Sequence, residues 1–163
     1  MNMIVTVDKN WAIGNKGRSF VSIPENEQML RADTTGKVVV MSKNVAEHFP
    51  GGYSYQDRIN VILTKDMNYT KKGAVMVHSL EELLDYVKKY NTESVYVIGG
   101  AGIFRQLLPY CDIIDVTYID YEYEADTHFA NLDEDEHFRM TEESDERTYF
   151  DLEYVFRRYE RNK

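Results

Sequence analysis

The sequence predicts an α/β fold: a largely parallel sheet with helices on both faces and further strands at its C-terminal end. Three observations carry that expectation. Continuous apolar runs rich in β-branched residues, Ile4–Val7, Val38–Met41 and Ile59–Leu63, alternate with stretches of helical period, as buried strands of a parallel sheet do. The run Val95–Tyr96–Val97–Ile98 stops at Gly99–Gly100, Gly102 follows, and Ile103, Phe104, Leu107 and Leu108 then keep a 3.6-residue period, which reads as strand, tight turn and helix. Beyond Pro109 the stretches Ile113–Asp115–Thr117–Ile119, Tyr121–Tyr123 and Phe150–Phe156 alternate at period two, the signature of antiparallel strands that close a sheet.

Composition sets the outer limits. The chain has 163 residues, 43% of them hydrophobic, which suits one domain with a core over residues 1–163. No apolar run approaches the ~20 residues that cross a bilayer. The opening residues Met1–Asp8 read as a first strand rather than a signal peptide, and Cys111 is the only cysteine, so the expected compartment is a reducing cytoplasm without disulfides. A cysteine-based metal site is excluded, and His48, His78, His128 and His137 show no ligand spacing. The net charge of −9 argues against a nucleic-acid partner, whose phosphates would be repelled.

The elements follow in order. After the first strand, Ala12–Gly17 is a polar, glycine-bearing loop able to fold over a ligand. Ser22–Ile23–Pro24–Glu25 is a helix entry, with Ser22 as the cap and Pro24 in the first turn, and the helix extends to about Ala32. Asn26, Glu27 and Leu30 share one of its faces, a half-buried pocket wall. Ser42 caps a short helix that Pro50–Gly51–Gly52 ends. Gly73–Val77 is another strand. Ser79 and Glu82 form a capping box, with Leu80, Leu83, Leu84 and Val87 as that helix's inner face. The acidic stretch Asp133–Arg147 reads as a solvated surface connection. The turn at Gly99–Gly102 can hold a phosphate on helix-start N–H groups, or can simply let strand and helix pack closely.

In their order and spacing these pieces resemble the dihydrofolate reductase family. The carrying residues are Ile4–Val7 with Ala12–Ile13–Gly14, Ile23–Pro24, Thr34–Lys37 with Val38–Met41, Arg58 with Asn60–Thr64, Val97–Phe104 and Asp126–Thr127–His128–Phe129. The resemblance implies an eight-stranded, mostly parallel sheet with an antiparallel C-terminal strand pair and a cis Gly99–Gly100 peptide. It also implies a cleft in which NADPH passes hydride to a pterin, and a monomer acting on a small-molecule substrate.

It implies site residues too. Thr117 matches the hydroxyl that bonds the family's catalytic carboxylate, and Arg58 the cation that holds the substrate's glutamate tail. The carbonyls of Val5 and Ile98 match acceptors for the pterin amine, and Leu30 and Phe104 line the substrate. Thr6, Ile13, Lys43, Asn44, Val45 and Gly100–Ala101–Gly102–Ile103 belong to the cofactor, with Lys43, Thr64, Lys65 and His78 around the 2′-phosphate.

The departures are equally definite. Asn26 stands where the family has Asp or Glu, Val21 replaces an aromatic residue, Val45 a threonine, and Phe104 a tyrosine. Exchanging a charge-assisted hydrogen bond for a neutral one loses about 1–2 kcal/mol, about tenfold in rate or affinity. Lost help with protonating the substrate nitrogen adds about 10²–10⁴-fold. Glu27, in a place where the family is apolar, is the alternative carboxylate. Asn26 and Glu27 leave two other activities open: a nucleotide- or pterin-binding relative with little turnover, and an NADPH-dependent reductase of another heterocycle.

Overall fold

The structure, a computed structural model, describes residues 1–48 and 56–163. The helix stop expected at Pro50–Gly51–Gly52 lies outside them. Six strands run parallel: β1 (Asn2–Asp8), β3 (Val38–Ser42), β4 (Ile59–Leu63), β5 (Ala74–Val77), β6 (Val95–Gly99) and β7 (Ile113–Ile119). With β10 (Arg147–Tyr149) and β11 (Leu152–Arg161) they form an eight-strand row, β10-β11-β7-β1-β6-β3-β4-β5. A ninth strand, β9 (Phe138–Glu143), pairs with β11 beside β10. The run Val95–Gly99 lies in the middle of that row and the C-terminal strands at one end, as the unbroken apolar run of the former requires.

Alternation along the central strands puts apolar side chains on both faces of the sheet, and a smaller cluster of Ile23, Ile119 and Tyr154 lies towards the C-terminal strands. Met3, Val5, Val7, Val38, Val40, Val95 and Val97 face one side and pack with Leu83 and Val87 of α3 (Leu80–Val87) and Ile103, Phe104 and Leu107 of α4 (Ala101–Leu107). Val39, Met41 and Ile62 face the other side, against Ala46 of α2 (Lys43–Glu47). Helix α1 (Pro24–Thr34) covers that second side further along, where Thr6 meets Asn26. Helices therefore occupy both faces.

Several local expectations are corrected. Part of the expected loop after β1 is a strand: β2 (Ala12–Gly14) pairs with β8 (Thr127–His128). Ser22 is not the helix cap; Ile23 is, without a side-chain bond, and Ser22 Oγ instead donates to Glu27 Oε1 at 2.9 Å. Pro24 removes one of the N–H groups a cap would serve, and the helix runs on to Thr34. Strand β7 lies parallel to β1, so the antiparallel part begins only with β11. Tyr121–Tyr123 is no strand; Lys9 N–H bonds the Tyr121 carbonyl and the Tyr123 ring stacks on Phe20 at 4.4 Å. The acidic stretch contains β9, because β11 opposite it is basic: Arg157 Nε meets Glu143 Oε2 at 2.7 Å.

One feature of the sheet creates the site. Strand β1 pairs with β6 only at Asn2↔Tyr96 and Met3↔Val97, yet with β7 as far as Asp8↔Ile119. Past Met3, β1 and β6 part at their C-terminal ends. On the other side of β6 the register with β3 jumps from Val40↔Val97 to Met41↔Gly99, leaving Ile98 out of the ladder. The cis Gly99–Gly100 peptide follows, with Gly99 at φ 126°, a conformation that side chains resist.

Beside the opening, the fully buried Asp8 accepts N–H groups from Asn10 (2.8 Å), Ala12 (2.9 Å) and Tyr123 (2.9 Å). Asp8→Ala strands those three donors and lowers the unfolding free energy by about 3 kcal/mol, read from urea denaturation; an unchanged midpoint would show that the carboxylate organises nothing.

Candidate active site

A cleft of about 1340 Å³ opens where β1 and β6 part. That exceeds the roughly 300–1,000 Å³ of a single small-molecule pocket and leaves room for two ligands side by side. It lies at the carboxyl ends of parallel strands where the strand order reverses, the usual ligand position in such sheets. At its centre Gly100 N–H donates to Ser42 Oγ at 3.2 Å, the oxygen that also accepts Val45 N–H and so caps α2. The first N–H to close α4 is that of Phe104, on the Gly100 carbonyl at 2.9 Å. The amides of Ala101, Gly102 and Ile103 precede it at the cleft wall, and a Cβ built on Gly102 would meet no atom within 4 Å. An incoming group can approach that backbone closely.

At the other end α1 presents Asn26, Glu27 and Leu30 to the cleft. The half-buried Asn26 amide is held from both sides: Nδ2 donates to Thr6 Oγ1 at 2.9 Å, and Oδ1 accepts Thr117 Oγ1 at 2.8 Å. Thr6 and Thr117 are direct partners in the β1–β7 ladder, so strand register sets the spacing of the two hydroxyls. Behind Asn26 lies a smaller hollow of about 370 Å³ bounded by α1, β7, β9 and β11. There burial and the charge of Asp115 raise the Asp33 pKa, while Arg158 takes Asp115 at 2.9 Å.

Most residues singled out from the sequence meet at the cleft. Val5, Thr6, Ile13, Asn44, Val45, Thr64, Lys65, His78, Ile98, Gly100–Ile103 and Phe104 line it together with Asn26, Glu27 and Leu30. Thr117 reaches it through Asn26. His78 Nδ1 donates to the Thr64 carbonyl at 2.9 Å, which leaves Nε2 as its second nitrogen. Besides Thr117, two residues do not line it. Lys43 is drawn to Asp66 at 3.1 Å and Glu47 at 3.9 Å, and the Asp66 hydrogen bond raises its pKa. Arg58 is anchored to the end of α1, Nε on Thr34 Oγ1 at 2.8 Å and Nη2 on the Arg31 carbonyl at 2.5 Å.

Two roles escaped the sequence. Ser42 reads locally as a helix cap and nothing more; its second bond, to Gly100, depends on the pairing of β3 with β6. Thr6 reads as a cofactor contact, yet its hydroxyl holds Asn26. Its shared face with Ile4 was a visible signal; its register with Thr117 was not.

The family model described as dihydrofolate reductase matches residues 1–161. A dihydrofolate reductase of Enterococcus faecium is 37% identical over 127 residues, 77% of this chain and 75% of that protein. One from Staphylococcus haemolyticus is 30% identical over 164 residues, 99% of this chain and 95% of that protein. A solved dihydrofolate reductase of Enterococcus faecalis, complexed with NADP(H), superposes with a TM-score of 0.83 at 25% identity, covering 99% of this chain and 96% of its own.

Ser42→Ala removes the α2 cap and the acceptor for Gly100 at once. The expected cost is about 1–2 kcal/mol in chemical denaturation; a loss confined to a few tenths would mean that the two N–H groups find other partners.

Proposed function

Because the chain belongs to the dihydrofolate reductase family, we infer that it reduces 7,8-dihydrofolate to tetrahydrofolate with NADPH. The observation that carries this is the two-ligand cleft, with a backbone cradle at one end and a hydrogen-bonding side chain held between two threonines at the other.

NADPH fits the cradle end. The amides of Ala101–Ile103 and the open Cβ space at Gly102 suit its pyrophosphate, while Thr64, Lys65 and His78 suit a 2′-phosphate. The cofactor supplies the hydride when bound. Of the cations, Lys65 carries the charge selection, because Lys43 is already matched by Asp66. Ile98, Leu30 and Phe104 wall the ring-binding end, with Phe104 edge-on to Phe129 at 5.5 Å. The backbone near Val5 and Ile98, where the strands part, offers carbonyls to a ring amine. Arg58, at the C-terminal end of α1, is the assigned partner of the substrate's anionic tail.

Reduction also puts a proton on the ring nitrogen. Asn26 binds and orients the ring, but an amide has no acidic proton to give. That proton comes from water or from Glu27, the carboxylate at the same wall. Asn26 therefore limits the rate. The assignment also takes the chain to be one domain, acting as a monomer on small molecules in a reducing cytoplasm, without nucleic acid. Burial there pushes the Cys111 pKa up to about 12, which keeps it a thiol.

NADPH oxidation with and without dihydrofolate is the direct test. Asn26→Asp raises kcat/KM for dihydrofolate by at least about tenfold at neutral pH. If Glu27 already supplies the charge, Asn26→Asp changes little and Glu27→Gln abolishes turnover. Should neither substitution move kcat/KM, the pocket serves another heterocycle or binds without turnover. In calorimetry NADPH binds more tightly than NADH, and Lys65→Ala weakens NADPH about tenfold while leaving NADH alone; equal losses for both would remove Lys65 from the phosphate.

A further inference from the structure

The hollow behind α1, about 370 Å³, falls within the roughly 300–1,000 Å³ that small-molecule pockets span. Its apolar lining comes from Met29 and Leu30 of α1, Val116 of β7 and Phe156 of β11. Along β9, Glu142 pairs with Arg158 and Met140 with Tyr159, so Thr141 has no ladder partner, and such a bulge bends a strand. Glu142, Glu143 and Ser144 come directly after it and border the hollow. The hollow and the cleft share Ile4, Asn26 and Leu30, and the remaining lining of each is its own.

Four carboxylates, Asp33, Asp115, Glu142 and Glu143, border the hollow against two guanidiniums, Arg157 and Arg158. Both guanidiniums are already matched. Arg158 Nε and Nη2 hold Asp115 at 2.9 and 3.4 Å, and Arg157 Nε holds Glu143 Oε2 at 2.7 Å. Asp33 and Glu142 make no ion pair among the described residues. The neutral polar groups are occupied too: Thr117 Oγ1 donates to Asn26, while Ser144 Oγ accepts Phe156 N–H and donates to the Asp145 carbonyl. Burial and the charge of Asp115 both disfavour the ionised form of Asp33, a cost that a cation beside it would offset.

We propose that this hollow is a second ligand site, separate from the cleft, for a small organic cation: an amidinium, guanidinium or ammonium group on a compact apolar body. The charged head pairs with Asp33, Glu142 adds to the negative field, and the body lies against Met29, Val116 and Phe156. An anion would have to displace Asp115 or Glu143 from its arginine. A neutral ligand of the same shape would cover Asp33 without matching its charge, at a cost in affinity.

Benzamidine is the probe, with benzamide as its neutral isostere and benzoate as the anion. In methyl NMR benzamidine shifts the Met29 methyl signal and saturates with a Kd of about 1–10 mM, ordinary for so small a ligand. Benzamide and benzoate bind at least about tenfold more weakly, and Asp33→Asn weakens benzamidine about tenfold. Met29→Trp fills the hollow and abolishes binding. Unchanged NADPH affinity in both variants shows that they are folded, and Asp33, being exposed, gives the variant that decides should Met29→Trp fail to fold. Glu27→Gln, in the cleft, leaves benzamidine affinity unchanged, as does filling the cleft with NADP⁺ and folate. Equal affinity for benzamide and benzamidine overturns the proposal, as does an unchanged affinity in Asp33→Asn. Displacement by NADP⁺ and folate, or loss of binding in Glu27→Gln, overturns it by putting the cation in the cleft. A Met29 methyl signal that stays in place up to about 50 mM benzamidine overturns it by leaving the hollow to water alone.

Discussion

Everything functional in this chain depends on β1 letting go of β6. A parallel sheet satisfies its backbone by pairing each strand on both sides, and a strand that leaves its neighbour early exposes carbonyls and amides at that point. Here the release comes after Met3 and Val97, while β1 stays paired with β7 to Asp8. The released segment carries Val5 and Thr6, and the facing segment carries Ile98, Gly99 and Gly100. The cleft therefore borders backbone that has left the β1–β6 ladder, and Ser42 ties one of those strand ends back to α2.

Much of the fold was legible because it rests on local patterns. The runs at Val38–Met41 and Val95–Ile98 are too continuously apolar for any place but a buried parallel strand. The residues of the site were legible mostly through the family resemblance and the period of α1, which puts Asn26, Glu27 and Leu30 on one face. What escaped was long-range. Nothing near Thr6 or Ser42 announces a partner 20 or 58 residues away. Strand β9 was hidden by its own acidity, since its basic complement on β11 comes later in the chain.

Charge is used twice over in this molecule. Lys43 and Arg58 look like cations waiting for anionic ligands, yet each is first a structural group. Lys43 joins the start of α2 to Asp66 and lies 5.0 Å from the centre of the Tyr69 ring. Arg58 closes the C-terminal end of α1, where helix carbonyls gather partial negative charge. An anion arriving at either cation competes with bonds already made, and that competition lowers the affinity contributed by the new contact. Lys65, which lines the cleft, has no such ion pair among the described residues.

Strand β11 would present a bare edge to solvent if its outer side were uncovered. Instead β10 pairs along Leu152–Tyr154 and β9 along Arg157–Arg161. The open side then belongs to short strands in which Arg139, Glu142, Glu143 and Arg147 are exposed, joined through Asp145 and Glu146. Unpaired strand edges recruit other chains into shared sheets, and like charges facing each other oppose that recruitment. The net negative charge of that segment opposes such pairing between copies, so neutralising its carboxylates is expected to favour self-association while the cleft at the far side of β7 stays as it is.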